Sequence, residues 1–145
     1  LSSVMHLGQT WNSSRERMLI WPSFVKLFYQ HLKDIATIDV FYFDLLESCS
    51  QIWHQQNPKR IAIEAYVKLL NYEGRLHDDF ICFNCEGLVE EDITLIRGFL
   101  PAHQHCAWNQ AMNTLHVKTL FQTHSTIALE DDAIDRLWKI VLEGF

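Results

Sequence analysis

The sequence predicts a mainly α fold: an irregular bundle of about five helices, interrupted by one loop-rich insertion over residues 75–106. Three observations carry this. Apolar residues recur at helical spacing in several separate segments, and helix-start and helix-stop residues bracket those segments. The periodicity then fails between 75 and 106, where three of the four cysteines fall.

The opening stretch, residues 1–20, holds mixed apolar patches without a sustained period; Val4, His6, Gly8 and Trp11 allow a short strand there. From Pro22 the pattern turns helical. Phe24, Leu27, Phe28, His31 and Leu32 stand at i, i+3, i+4, i+7 and i+8, one stripe of a helix that begins near Pro22. His31 on that stripe reads as a satisfied core histidine rather than a ligand. Asp39 is the expected N-cap of a second helix, whose broad face carries Phe41, Tyr42, Leu45, Leu46, Cys49, Ile52 and Trp53. Cys49 lies in the middle of that face and reads as a core thiol.

The third helix has the clearest punctuation, with Asn57 as cap, Pro58 at the first helical position and Gly74 at the end. Ile61, Ala62, Ala65, Tyr66, Leu69 and Leu70 form its apolar side. Arg60, Glu64 and Lys68 follow at i, i+4 spacing, the pattern of a solvated face paired by charge. Trp108, Ala111, Met112 and Leu115 suggest a further helix, with a break before Leu120 and Phe121. The last helix runs from Glu130 to about Glu143, with Ile134, Leu137, Trp138, Val141 and Leu142 on its stripe. Its opening run, Glu130-Asp131-Asp132, complements the positive end of the helix dipole and is read as a cap rather than a metal cluster.

A chain of 145 residues with 48% apolar and 21% charged residues is one globular domain by length and composition. Beginning on Leu1, it reads as a piece of a longer protein. No apolar run is long enough to span a bilayer, and no charged segment followed by an apolar one marks a signal peptide. The net charge is −6 with a pI near 5.7. That disfavours the chain as a strong autonomous nucleic-acid binder, although a local basic patch stays compatible with it. No internal repeat or low-complexity run is present.

The insertion carries the chemistry. Cys82 and Cys85 form a C-x2-C knuckle; 17 residues intervene before His103, and Cys106 follows three positions later. A two-residue gap lets one tight turn aim both thiols at one ion, and the separation suits a double-knuckle zinc site with His103 in place of a cysteine. Glu86-Gly87 supplies the turn, and Gly98 and Pro101 let the chain bend back. A redox pair or two core thiols is the competing reading of the knuckle alone. His105 is the neighbouring alternative to His103, and His77 a remoter one.

Four protein ligands leave no position for a water, so the expected Zn2+ is structural. A zinc deaminase would need Pro before the C-x2-C and an upstream H-x-E, but Ile81 precedes Cys82 and no such H-x-E occurs. His6, His31, His54, His116 and His124 form no metal-binding motif, and no G-x-S-x-G is present. These absences make an enzyme the weaker expectation. Zinc in a small module is worth on the order of 10 kcal/mol, comparable to a whole domain's stability of roughly 5–15 kcal/mol.

The run NPKRIAIEAYVKLLNYEGRLHDDFICFNCEGLVEEDITLIRGFLPAHQHC resembles the C-terminal domain of the RecO family of recombination mediators. It is most similar to the divergent form found in Campylobacter- and Helicobacter-like bacteria. The matching features are the helix ending in LL-x2-EGRLH, the CF-x-CE knuckle and RGFLPAH before the final Cys. The resemblance covers residues 15–110 well and the final helix more loosely; many members have a second C-x2-C where this chain has His103-x2-Cys106.

The resemblance implies an N-terminal OB-fold, of which residues 1–20 would be a remnant or linker, followed by a helical domain over 21–145 with the zinc-binding insertion. It further implies DNA binding and strand annealing in the bacterial cytoplasm, at the nucleoid. RecR and the C-terminal tail of the single-stranded-DNA-binding protein are the implied protein partners. DNA affinity would reside mainly in the missing N-terminal part. Lys59, Arg60, Lys68 and Arg75 are candidate cations for the tail's carboxylates, though none is matched to a family position. A zinc-dependent hydrolase or deaminase, and an unrelated zinc-stabilised interaction module, are the other readings.

Overall fold

A computed structural model describes residues 14–145, apart from residues 36, 108 and 109. The expected strand around Val4, His6, Gly8 and Trp11 lies outside them. α3 (Pro58–Tyr72) is the centre of the molecule. Asn57 accepts from the Lys59 backbone N–H, Pro58 opens the helix, and Gly74 beyond its end takes φ +71. Ile61, Ala62, Ile63, Ala65, Tyr66, Val67, Leu69 and Leu70 are all buried, so this helix is apolar over far more than one stripe. α1 (Ser14–Lys33), α2 (Val40–Ile52), α5 (Thr114–Thr123) and α6 (Asp131–Val141) all pack on it.

α1 presents Phe24, Phe28 and Leu32 to the core, with Leu27 and His31 half-buried at its edges. It begins eight residues before Pro22, which therefore sits inside the helix rather than at its start. The ring faces solvent, and Ser23 Oγ donates to the Leu19 carbonyl at 2.9 Å, so the turn keeps a side-chain bond beside the missing backbone one. α2 starts at its expected cap, where Asp39 accepts from the Phe41 N–H. Tyr42, Leu45, Cys49 and Trp53 are buried, and Trp21 meets Trp53 edge-on with ring centroids 4.6 Å apart. Burial pushes the Cys49 thiol up to about 12, which suits its place in the core. His31 Nε2 lies 2.7 Å from Glu73 Oε2, so this histidine is satisfied, as expected, but at the edge of the core rather than within it.

The insertion differs from its expected form. Its residues and the segment just beyond position 106 build a three-stranded antiparallel sheet in the order β2-β1-β3, with β1 at Asp92–Ile96, β2 at Leu100–Ala102 and β3 at Met112–Asn113. Thr94, Leu95 and Ile96 pair with Ala102, Pro101 and Leu100, while Asp92 and Ile93 pair with Asn113 and Met112. Ile93, Leu95 and Phe99 are wholly buried, so the lobe has a core of its own that is continuous with the helices. A left-handed pair, Gly98 and Phe99, turns β1 directly into β2. The helix expected around Trp108, Ala111, Met112 and Leu115 is also displaced: Trp108 lies outside the described residues, and Ala111 and Met112 lead into and form β3. α5 begins only after the Asn113 cap, then continues unbroken through Leu120 and Phe121.

α6 opens on Glu130, with Asp131 and Asp132 in its first turn as expected. Ile134, Leu137, Trp138 and Val141 are buried. Leu142 is not on the stripe; it caps the helix and is 44% exposed.

Candidate metal centre

Two separate pieces of backbone bring the donors together. The first is a hairpin over residues 80–89. Ile81 and Leu88 form a bridge, Val89 N–H donates to the Phe80 carbonyl, and Cys82 N–H donates to the Gly87 carbonyl. At its tip Glu86 N–H donates back to the Cys82 carbonyl, and Glu86, not Gly87, takes the left-handed conformation at φ +63. A Cβ on Gly87 would stand 3.5 Å from both Cys85 Sγ and His103 Cε1, so the glycine lies against the donors.

The second piece is the end of β2 running into the single turn α4 (Gln104–Ala107), where Cys106 N–H donates to the His103 carbonyl. A bond from Phe83 N–H to the Pro101 carbonyl, 3.0 Å, clamps the pieces to each other.

The donor atoms of Cys82, Cys85, His103 and Cys106 all lie within 4.8 Å of one another. Thiolates held about 2.3 Å from a tetrahedral ion sit roughly 3.8 Å apart, so only a small contraction would seat one. Three soft sulfur donors and one imidazole form a set typical of structural zinc. These four residues could therefore hold a metal ion.

The imidazole is oriented for the task. Nδ1 faces the thiols, 3.2 Å from Cys85 Sγ, while Nε2 is 3.0 Å from the Leu88 carbonyl. A proton on Nε2 makes that second contact a hydrogen bond and leaves the Nδ1 lone pair for an ion. Burial works against the Cys82 thiolate, but the backbone N–H groups of Cys85, His103 and Asn84 outweigh it and bring this thiol down to about 6. A thiolate is the form a metal binds.

His105 stacks on His103 with ring centroids 5.2 Å apart but stands outside the donor group, as does the exposed His77. The Leu88 carbonyl and the Asn84 N–H were not signalled by residue type, because both act through the backbone.

The four cations considered for partner binding do not converge. They run from one end of α3 to beyond the other, along a helix roughly 22 Å long. Lys59 Nζ pairs with Asp135 at 2.9 Å. Arg60 donates to the Thr126 and Leu129 carbonyls at 2.7 and 2.8 Å and reaches Asp131. Arg75 holds Glu73 Oε1 and the Phe145 carbonyl. Lys68 is exposed on α3.

The face expected to be solvated and paired along the helix is thus in part an internal joint. Arg60 and Glu64 both turn to the segment before α6, where Glu64 Oε2 accepts from Thr126 N–H and Oγ at 2.9 and 2.8 Å.

The fold and the site define a mainly helical protein with a small sheet and a Cys/His cluster that could hold a metal ion. Among the described residues no helix is long and apolar enough to cross a membrane. No protein-family model matches the chain, and no curated protein matches it.

Proposed function

We propose that this chain is a non-enzymatic, zinc-stapled helical domain of a RecO-type recombination mediator. In this reading it works in the bacterial cytoplasm, at the nucleoid, with DNA, RecR and the tail of the single-stranded-DNA-binding protein. The observation that carries the zinc reading is the convergence of three thiols and one imidazole within 4.8 Å. Four protein donors leave no place for a metal-bound water, which favours a staple over a hydrolase or deaminase. The recombination reading rests on the sequence motifs, LL-x2-EGRLH, CF-x-CE and RGFLPAH, since no family model supplies it.

The acidic balance of −6 supports placing DNA affinity in the upstream OB-fold that the resemblance implies. A titration of single-stranded DNA at several salt concentrations tests this, using the present chain and a version extended upstream through that fold. The extended version is expected to bind tightly with a steep salt slope and to anneal complementary strands. The present chain alone is expected to bind weakly. Equal binding by the two, or an extended version that neither binds nor anneals, would sink the assignment.

A further inference from the structure

The hairpin that presents Cys82 and Cys85 has an outer face as well as an inner one. Ile81 and Leu88 are cross-strand partners, so their side chains lie on the same side. They are 37% and 56% exposed, and Phe83, on the other flank of the buried Cys82, is 47% exposed. Single exposed apolar residues need no explanation, but three gathered on one clamped hairpin mark a contact surface.

The surroundings of this face select its occupant. Asp78, Asp79, Glu86, Glu90, Glu91 and Asp92 are all exposed in and beside the hairpin along the chain, where no Lys or Arg occurs between Arg75 and Arg97. Lys118 of α5 reaches the hairpin at the buried Phe80 ring, 5.4 Å from its centroid, and is outnumbered by these carboxylates. A nucleic acid or an anionic lipid surface would bring phosphates against these carboxylates. A second copy would bring the same carboxylates against themselves. Only a cationic partner both covers the apolar centre and neutralises the rim.

We propose that the outer face of hairpin 80–89 docks a basic protein segment. Its one or two large apolar side chains cover Ile81, Phe83 and Leu88, and flanking Lys or Arg residues meet the acidic rim. The site is distinct from the ligand set. It adds a protein partner of defined chemistry to the zinc-stapled reading, and its test reads separately from metal content.

The test uses the whole zinc-loaded chain and a fluorescein-labelled amphipathic helical peptide of Leu and Lys, followed by fluorescence anisotropy. A matched peptide with Glu for Lys serves as the charge control. The Lys peptide is expected to bind and the Glu peptide not. Two double variants, Phe83→Ser with Leu88→Ser and Glu90→Lys with Glu91→Lys, are each expected to weaken binding about tenfold or more.

Ile127→Ser, at an 84% exposed apolar residue between α5 and α6, is expected to leave it unchanged. Elemental analysis of each variant reports the ion independently. The charge-reversed variant, altered only at exposed positions, decides the matter even if the serine variant sheds its metal. Failure of the Lys peptide to bind, undiminished binding by the charge-reversed variant, or a dimer dissolved by Phe83→Ser would overturn the proposal.

Discussion

His103 shows how much of a site one side chain's second contact decides. With Nε2 on the Leu88 carbonyl and Nδ1 toward Cys85, the ring is held in the tautomer that a metal needs. His103→Cys replaces one competent donor by another and is expected to retain bound zinc. His103→Ala should lose most of it, and His105→Ala should keep a full complement. Elemental analysis of the purified variants reads all three; zinc loss on His105→Ala alone would reverse the ligand assignment.

The four donors were legible because ligand spacing is a local property of the chain. The Leu88 carbonyl was not, since any residue supplies one and only the hairpin register brings it to the ring.

Glu73 is the second residue with a readable consequence. It accepts from Tyr42 Oη at 2.6 Å, from His31 at 2.7 Å and from Arg75 at 2.7 Å. Burial works against its charged form, but these three donors outweigh it and hold the carboxyl below its ordinary value. Because the folded pKa is the lower one, the unfolded chain takes up the proton first as pH falls. The stabilisation is therefore present above about pH 4.3 and is lost as pH drops through the lowered folded value. Urea midpoints between pH 7 and pH 3 should fall less steeply for Glu73→Gln than for the wild-type chain. Parallel profiles would show that this carboxylate contributes no acid sensitivity.

At the scale of elements, periodicity located the helices but not every boundary. Asp39, Asn57 and Pro58 mark starts by side-chain chemistry that acts within two residues, and all three do so here. Pro22 carries the same start signal but stands in mid-helix, because α1 recruits about two further turns of chain before it. Pro22→Ala restores an N–H to the backbone ladder and removes the ring's clash with the carbonyl four residues earlier. It is expected to stabilise the chain by about 1–3 kcal/mol, the helix gain being partly offset by a freer unfolded state. A raised urea midpoint checks this, and an unchanged or lowered one would mean that the helix accommodates the ring without cost.

β1 escaped the sequence for a different reason. Asp92-Ile-Thr-Leu-Ile96 is buried on both faces except at its ends, so it lacks the polar alternation that betrays a strand, and its partners are only two or three residues long. The Arg60–Glu64 joint was equally hidden, because i, i+4 spacing describes one helix and Thr126 arrives from 62 residues away.

The whole molecule couples these parts through the sheet. The Cys/His cluster joins hairpin 80–89 to the end of β2, while β1 lays Ile93 and Leu95 into the core that α5 and α6 share. On the zinc-stapled reading, loss of the ion should therefore act in two stages. The hairpin has only a few backbone bonds, chiefly Cys82 N–H to Gly87, Val89 N–H to Phe80 and Phe83 N–H to Pro101, and the donors pull its two pieces together. A chelator should strip protection from those amides first, because an open hairpin returns them to water. The α3 amides should keep theirs, since Ile61, Ala62, Ile63, Tyr66 and Leu69 stay packed among the helices whatever happens at the cluster.

Hydrogen exchange with and without chelator resolves this amide by amide. Cys82→Ser is expected to reproduce the chelated pattern without any chelator present. Uniform loss of protection would make the ion a determinant of the whole fold, while no loss anywhere would mean that β1, Phe99 and the hairpin's own buried Phe80 and Val89 hold the lobe without it. The wholly buried Ile93, Leu95 and Phe99 argue for the intermediate outcome: they anchor the sheet to the bundle but make no bond to the hairpin that carries Cys82 and Cys85.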